Sequence, residues 1–167
     1  YPMCRRFGKR IGSLVVIGVV LWVVFTIAIR AKCSPVLTGI RKMNRAVMNP
    51  RQMGTAGKPG AYASIVRHVG RNSGTSYETP VQALPTEDGF VIPLPYGRTA
   101  DWMKNVLAAG SAEIVNEGET WGIDQPEVVA SEVALPFVPS KYQRTLRVYG
   151  VDEFLLVHRG DAVVVEE

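Results

Sequence analysis

Cysteine is nearly missing from this chain: two residues in 167, Cys4 and Cys33, and none after them. On a continuous helix rising about 1.5 Å per residue they would lie roughly 40 Å apart, too far to pair. The remainder therefore has no disulfide framework, zinc ribbon or thiol nucleophile. Histidine is as scarce. His68 and His158 stand far apart in the sequence with no ligand spacing, so each reads as a structural residue and no metal site is expected. No P-loop is present, and Ser73 lacks a nucleophile elbow because Arg71 stands where GxSxG needs glycine. Acidic residues are absent from positions 1–51, which hold ten of the nineteen Lys and Arg. The rest holds nine basic side chains against all fifteen acidic ones, a net −6. The pI of about 9.2 is thus set by the N-terminal end. A folded domain of negative charge repels phosphate backbones, so nucleic-acid binding is not expected.

What is abundant is apolar sequence near the N-terminus. Residues 11–29, IGSLVVIGVVLWVVFTIAI, carry no charge. At about 1.5 Å per residue they extend roughly 28 Å, close to the roughly 30 Å of a hydrocarbon core. A single transmembrane helix is expected there, uncleaved, because Arg30 and Lys32 replace the small residues of a cleavage site. Residues 1–10 form its basic flank, and 30–60 a basic juxtamembrane amphipathic segment and linker. Within the latter, Val36, Ile40, Met43 and Val47 fall at helical spacing. They fit either an interfacial helix or one packing a stripe on the domain. Basic residues after the span favour a cytoplasmic C-terminal domain under the positive-inside rule. The expected localisation is a single-pass membrane protein.

From 61 to 167 the period changes. Strands are expected at 62–69, 77–84, 90–94, 112–115, 121–129 and 153–158, with PTEDG and NEGET as hairpin turns and Asp88-Gly89 able to take positive φ. Thr99 or Asp101 is placed to cap a short helix with Trp102, Val106 and Leu107 inward and Gly110 ending it; 135–148 reads as helical. Strands in hairpin order with isolated helices predict an α+β antiparallel sheet or barrel.

Two segments carry the chemistry. Gly70-Arg71-Asn72-Ser73-Gly74-Thr75 joins two strands with glycine amides, a guanidinium fork and hydroxyls, which suit a phosphate or an ordinary hairpin loop. Tyr96-Gly97-Arg98 runs into the helix of Asp101 and Trp102, where a helix N-terminus favours anions and the aromatics can stack on a flat ring or fill the core.

Together, VGRNSGTSYETPV and GFVIPLPYGRTADWMKNVLAAG resemble the signatures of the deazaflavin-dependent nitroreductase family. These enzymes are related to split β-barrel, FMN-binding-like proteins. The resemblance covers roughly residues 62–115, with a looser echo in GVDEFLLVHR. It implies an α+β fold, an antiparallel split β-barrel, here preceded by the transmembrane helix. The implied cofactor is coenzyme F-420, a deazaflavin hydride donor with a phosphate-bearing tail; FMN is the less favoured ligand and haem a weaker one. By position, Arg71, Asn72, Ser73 and Gly74 would hold the phosphate end. Thr79, Pro80 and Val81 would line the ring. Tyr96, Gly97 and Arg98 would cover the cofactor, with Trp102 and Asn105 bracing that loop. The sequence departs from the pattern at Asn72, where relatives often have a second basic residue, and in lacking a tyrosine-rich C-terminal region beyond Tyr142 and Tyr149. The implied activity is hydride transfer to a lipophilic acceptor such as a quinone, including a membrane quinone, or a nitro compound. The alternative is a non-catalytic module that binds a cofactor or small molecule on the same fold. Membrane lipid is the other expected partner, and oligomeric state is not legible.

Overall fold

A computed structural model describes residues 3–31 and 34–162. The basic flank, both cysteines, Lys32 and Val36 lie outside the described side chains, and the expectations that rest on them go no further.

The apolar run is helical as part of α1 (Met3–Arg30). Among the described residues no helix is long and apolar enough to cross a membrane. This corrects the expected transmembrane helix at 11–29, and a single-pass membrane localisation is not supported. At its far end α1 meets the rest of the fold. Arg30 Nη1 donates to the carbonyls of Arg147 at 2.9 Å and Val148 at 3.1 Å. These close α6 (Ser140–Val148), and the last turn of a helix leaves such acceptors without intrahelical donors.

The segment after α1 is helical almost throughout: α2 (Ser34–Met43), a π-helical turn (Asn44–Met48) and α3 (Asn49–Met53). Of the apolar stripe expected here, Met43 and Val47 are exposed and Ile40 is half-buried, while Leu37 beside it is buried.

Seven strands follow: β1 (Ser64–Val69), β2 (Ser76–Val81), β3 (Leu84–Pro85), β4 (Gly89–Pro93), β5 (Ser111–Asn116), β6 (Glu119–Ala130) and β7 (Glu153–Ala162). They form one antiparallel sheet in the order β2-β1-β5-β6-β7-β4-β3. Hairpins join β1 to β2, β3 to β4 and β5 to β6, but the β1–β5 and β4–β7 pairings are not sequential. The two edge strands, β2 and β3, are consecutive in the chain and separated by only Gln82 and Ala83. So short a connection between opposite edges requires the sheet to curl round on itself. Register shifts in β6 between Trp121 and Ile123 and between Asp124 and Glu127 add bends of the kind that bulges produce. The result is α+β with a curled antiparallel half-barrel.

Alternation along the strands builds two cores. Inside the curl, Val66, Phe90, Ile92, Ile114, Ile123, Leu155 and Val157 pack with Met103 and Val106 of α4 (Asp101–Ala109). On the other face, Val91, Val129 and Phe154 pack with Ala134 of α5 (Ser131–Ala134) and Leu146 of α6. β4 is buried on both faces, which explains its uninterrupted apolar sequence.

Local signals held in part. Glu117 and Gly118 both have positive φ, 52° and 84°, and close the β5–β6 hairpin as a two-residue turn of the I′ kind. Gly110, at φ 74°, ends α4 with its N–H on the Val106 carbonyl. The cap differs from expectation: Ala100 is the N-cap residue and makes no side-chain cap hydrogen bond. Leu107 is exposed, and Met103 and Asn105 are buried with Val106.

Gly89 is needed for a reason other than turn conformation. It has no positive φ. It pairs with His158 across β4–β7, and a Cβ there would run into the Val157 carbonyl oxygen and come within 2.9 Å of His158 Cα. Gly89→Ala should therefore force the buried strand β4 away from β7. A loss of about 1–3 kcal/mol, the scale of overpacking, is expected as a lower urea midpoint. An unchanged midpoint would mean that β4 and β7 tolerate wider separation.

Candidate functional site

At the β1–β2 end of the half-barrel is a cleft of about 1000 Å³. Three barrel elements supply one side. The β1–β2 loop contributes Arg71, Asn72 and Ser73, strand β2 contributes Thr79 and Pro80, and α4 with the turn before it contributes Tyr96, Trp102 and Asn105. The opposite side comes from the N-terminal helices, through Thr38, Lys42, Asn44, Asn49, Pro50 and Met53. Asn44 Nδ2 donates to the Tyr96 hydroxyl at 2.9 Å and ties the two sides together. Residues 38–53 thus contribute a wall of the site; a helix packing on the domain was one of the two readings of this segment, but a place in the cleft was not foreseen.

Eight of the twelve residues expected from the motifs line this cleft. The other four are structural neighbours of it. Gly74 closes the hairpin loop with its N–H on the Gly70 carbonyl at 2.8 Å. Val81 packs against the inner core. Gly97 opens a 3-10 turn at φ 64°. Arg98 is drawn to β7, where its Nε donates to Glu153 Oε1 at 2.7 Å.

The loop is more internally bonded than its glycine content implies. Gly70 N–H goes to the Thr75 carbonyl at 2.8 Å, Arg71 N–H to Asn105 Oδ1 at 3.2 Å, and Thr75 N–H to Ser73 Oγ at 3.3 Å. With Gly74 also engaged, the loop amides that have no such partner among the described residues are those of Asn72 and Ser73. A phosphate cradle here would rest on two amides and the Arg71 guanidinium. That guanidinium is held in place: Nη1 donates to Asn105 Oδ1 at 2.8 Å, and Nη2 lies 3.6 Å from Asp101 Oδ1.

Below the loop is a residue that the sequence left as structural. His68, on β1, is 7% exposed and borders the cleft. Asn105 Nδ2 lies 3.1 Å from its Nδ1, and Thr79 Oγ1 lies 3.1 Å from its Nε2. The Tyr77 ring stacks on it with centroids 5.8 Å apart. No spacing rule marks such a histidine. The available signal was that β1 leads directly into the GRNSG loop, so a residue two before that loop lies beneath it.

Burial lowers the His68 pKa from its usual value near 6.5, because desolvation penalises the charged ring. The sign of the linkage follows. Above 6.5 the ring is neutral folded and unfolded, so stability is fully present. As pH falls below that value the unfolded ring gains a proton that the folded ring resists, and stability declines until the folded pKa is passed. Unfolding free energy measured from pH 7.5 down to 5 should therefore fall, and His68→Gln should remove part of the slope. An identical slope in that variant would show that other groups cause it.

No family model matches the chain, and no curated protein does. Among solved structures it is similar to the heme storage protein HutZ from Vibrio cholerae, with a TM-score of 0.42 and 9% identity over 60% of this chain and 82% of that one. Similarity at that level carries no argument about what this cleft binds.

Proposed function

We propose that the cleft binds a ring coenzyme with a phosphate-bearing tail and that the protein is an oxidoreductase. In this proposal it transfers a hydride from reduced coenzyme F-420 to a lipophilic acceptor such as a quinone or a nitro compound. The main support is that eight residues named from two separate motifs line one cleft on an antiparallel half-barrel.

The donor set suits such a group. Arg71 keeps N–H donors beyond those used on Asn105 and Asp101, since a guanidinium carries five, and it stands with the Asn72 and Ser73 amides at one end. Thr79, Pro80, Tyr96 and Trp102 offer flat or apolar surface and hydroxyls along the rest of the wall. The coenzyme supplies the hydride chemistry when bound, and the protein is left to bind, orient and exclude water. In this reading Arg71 holds the tail, Pro80 and Trp102 flank the ring, and the N-terminal wall with Asn44 on Tyr96 limits solvent entry.

A second reading, a non-catalytic binding module, is favoured by one observation. Asp101 stands 3.6 Å from Arg71 and competes with an anionic tail for it. Steady-state oxidation of reduced coenzyme F-420 by the full chain with menadione separates the two. Menadione-dependent oxidation supports the enzyme; saturable coenzyme binding without turnover supports the module. Turnover with FMN in place of the deazaflavin would shift the cofactor assignment, and absence of both binding and turnover would overturn both readings.

A further inference from the structure

The hydrogen bonds around His68 have only one consistent direction. Asn105 Oδ1 accepts from two donors of Arg71, the backbone N–H at 3.2 Å and Nη1 at 2.8 Å. This fixes which end of the Asn105 amide is oxygen. The other end, Nδ2, is a donor only, and it faces His68 Nδ1 at 3.1 Å. Nδ1 must accept, so the ring proton sits on Nε2. That proton points to Thr79 Oγ1, 3.1 Å away. The Thr79 oxygen accepts it, and the proton that the threonine itself carries is left to point elsewhere. Thr79 is half-buried and lines the cleft.

We infer that His68 is a positioning residue that, fixed by Asn105 and Arg71, sets Thr79 as a hydroxyl donor to an acceptor atom on the flat part of the ligand. This rests on the coenzyme reading above and adds to it a polarity: the ligand edge at Thr79 carries a carbonyl oxygen or unprotonated ring nitrogen. The chain from Arg71 through Asn105 and His68 to Thr79 also links the anion-binding end of the cleft to the ring end. Loss of His68 would strand a buried Asn105 donor as well as release Thr79, so the two consequences need separate readouts.

The first readout needs no ligand. Nitrogen-15 NMR of the full chain at pH 7.5 should show His68 as the Nε2–H tautomer; an Nδ1–H tautomer would overturn the relay. The second is a binding cycle with oxidised coenzyme F-420 as the probe. Thr79→Val should weaken binding roughly two- to tenfold, the scale of a neutral hydrogen bond, and Thr79→Ser should restore it. In a His68→Leu background the same Thr79→Val change should have a smaller effect, because its hydroxyl is no longer oriented. In His68→Gln, which keeps an amide donor towards Thr79, the full effect should return, and His68→Met serves as the background without a donor if the leucine variant does not fold. Equal Thr79→Val effects in all backgrounds would overturn the inference while leaving the coenzyme site standing. A wild-type chain that binds neither coenzyme F-420 nor FMN would remove the coenzyme reading and this inference with it.

Discussion

Replacing Arg71 with alanine is expected to weaken coenzyme F-420 binding by about 1–3 kcal/mol, the scale of a charged hydrogen bond, or roughly five- to 150-fold. Two effects add. The substitution removes the one cation in the β1–β2 loop, and it removes one of two donors that fix the Asn105 amide. Arg71→Lys should recover only part of the loss. An ammonium restores charge but lacks the planar fork that reaches Asn105 and Asp101 together. Fluorescence titration with circular dichroism as a folding control would check this. Unchanged affinity in a folded Arg71→Ala variant would mean the anion-binding end lies elsewhere.

Phe90→Ala should have the largest effect on stability, about 3–5 kcal/mol, as for other buried aromatic truncations. Phe90 is 1% exposed and sits in the inner core with Met103 and Val106. Those two side chains seat α4, which carries Trp102 and Asn105 into the cleft. The cavity left behind would loosen the helix that braces the site as well as the sheet. The expected result is a lower urea midpoint with weaker coenzyme binding alongside it. A midpoint shift without any change in affinity would show that α4 is held by other contacts.

Much of the barrel was legible because its signals are local. Runs of β-type residues bounded by turn clusters located the six longer strands, Glu117-Gly118 marked a turn, and Gly110 marked the end of α4. The sheet order was not legible. Hairpin-like spacing fits sequential pairing as well as the observed β1–β5 and β4–β7 pairing, and only tertiary burial of β4 on both faces selects the latter. Gly89 shows the same limit: a glycine after Asp reads as turn chemistry, whereas the structure needs it for the approach of Val157 across a strand pair. The loop of the candidate site was legible from residue type, but not how many of its amides are already engaged. For the helices after α1 the sequence left open an interfacial helix or one packing on the domain, and it did not show that they line the cleft. Arg30 bonds to the end of α6, and Lys42, Asn44 and Asn49 line the cleft. Polar side chains at those positions look like a solvated face unless their neighbours are known. His68 was illegible for the same reason, since its role depends on Asn105, which is brought to it from α4.

These contacts also decide which chain should be tested. A fragment beginning at Met53 would lack the wall that contributes Thr38, Lys42, Asn44, Asn49 and Pro50, so the full chain is the proper material. The direct measurement is a titration of coenzyme F-420 with that chain, read by the coenzyme's fluorescence. Saturable binding in the wild type, weakened at least fivefold by Arg71→Ala, is the expected result; this is the lower bound of the charged hydrogen-bond scale. Fluorescence unchanged up to high micromolar protein would contradict the assignment of this cleft to a deazaflavin.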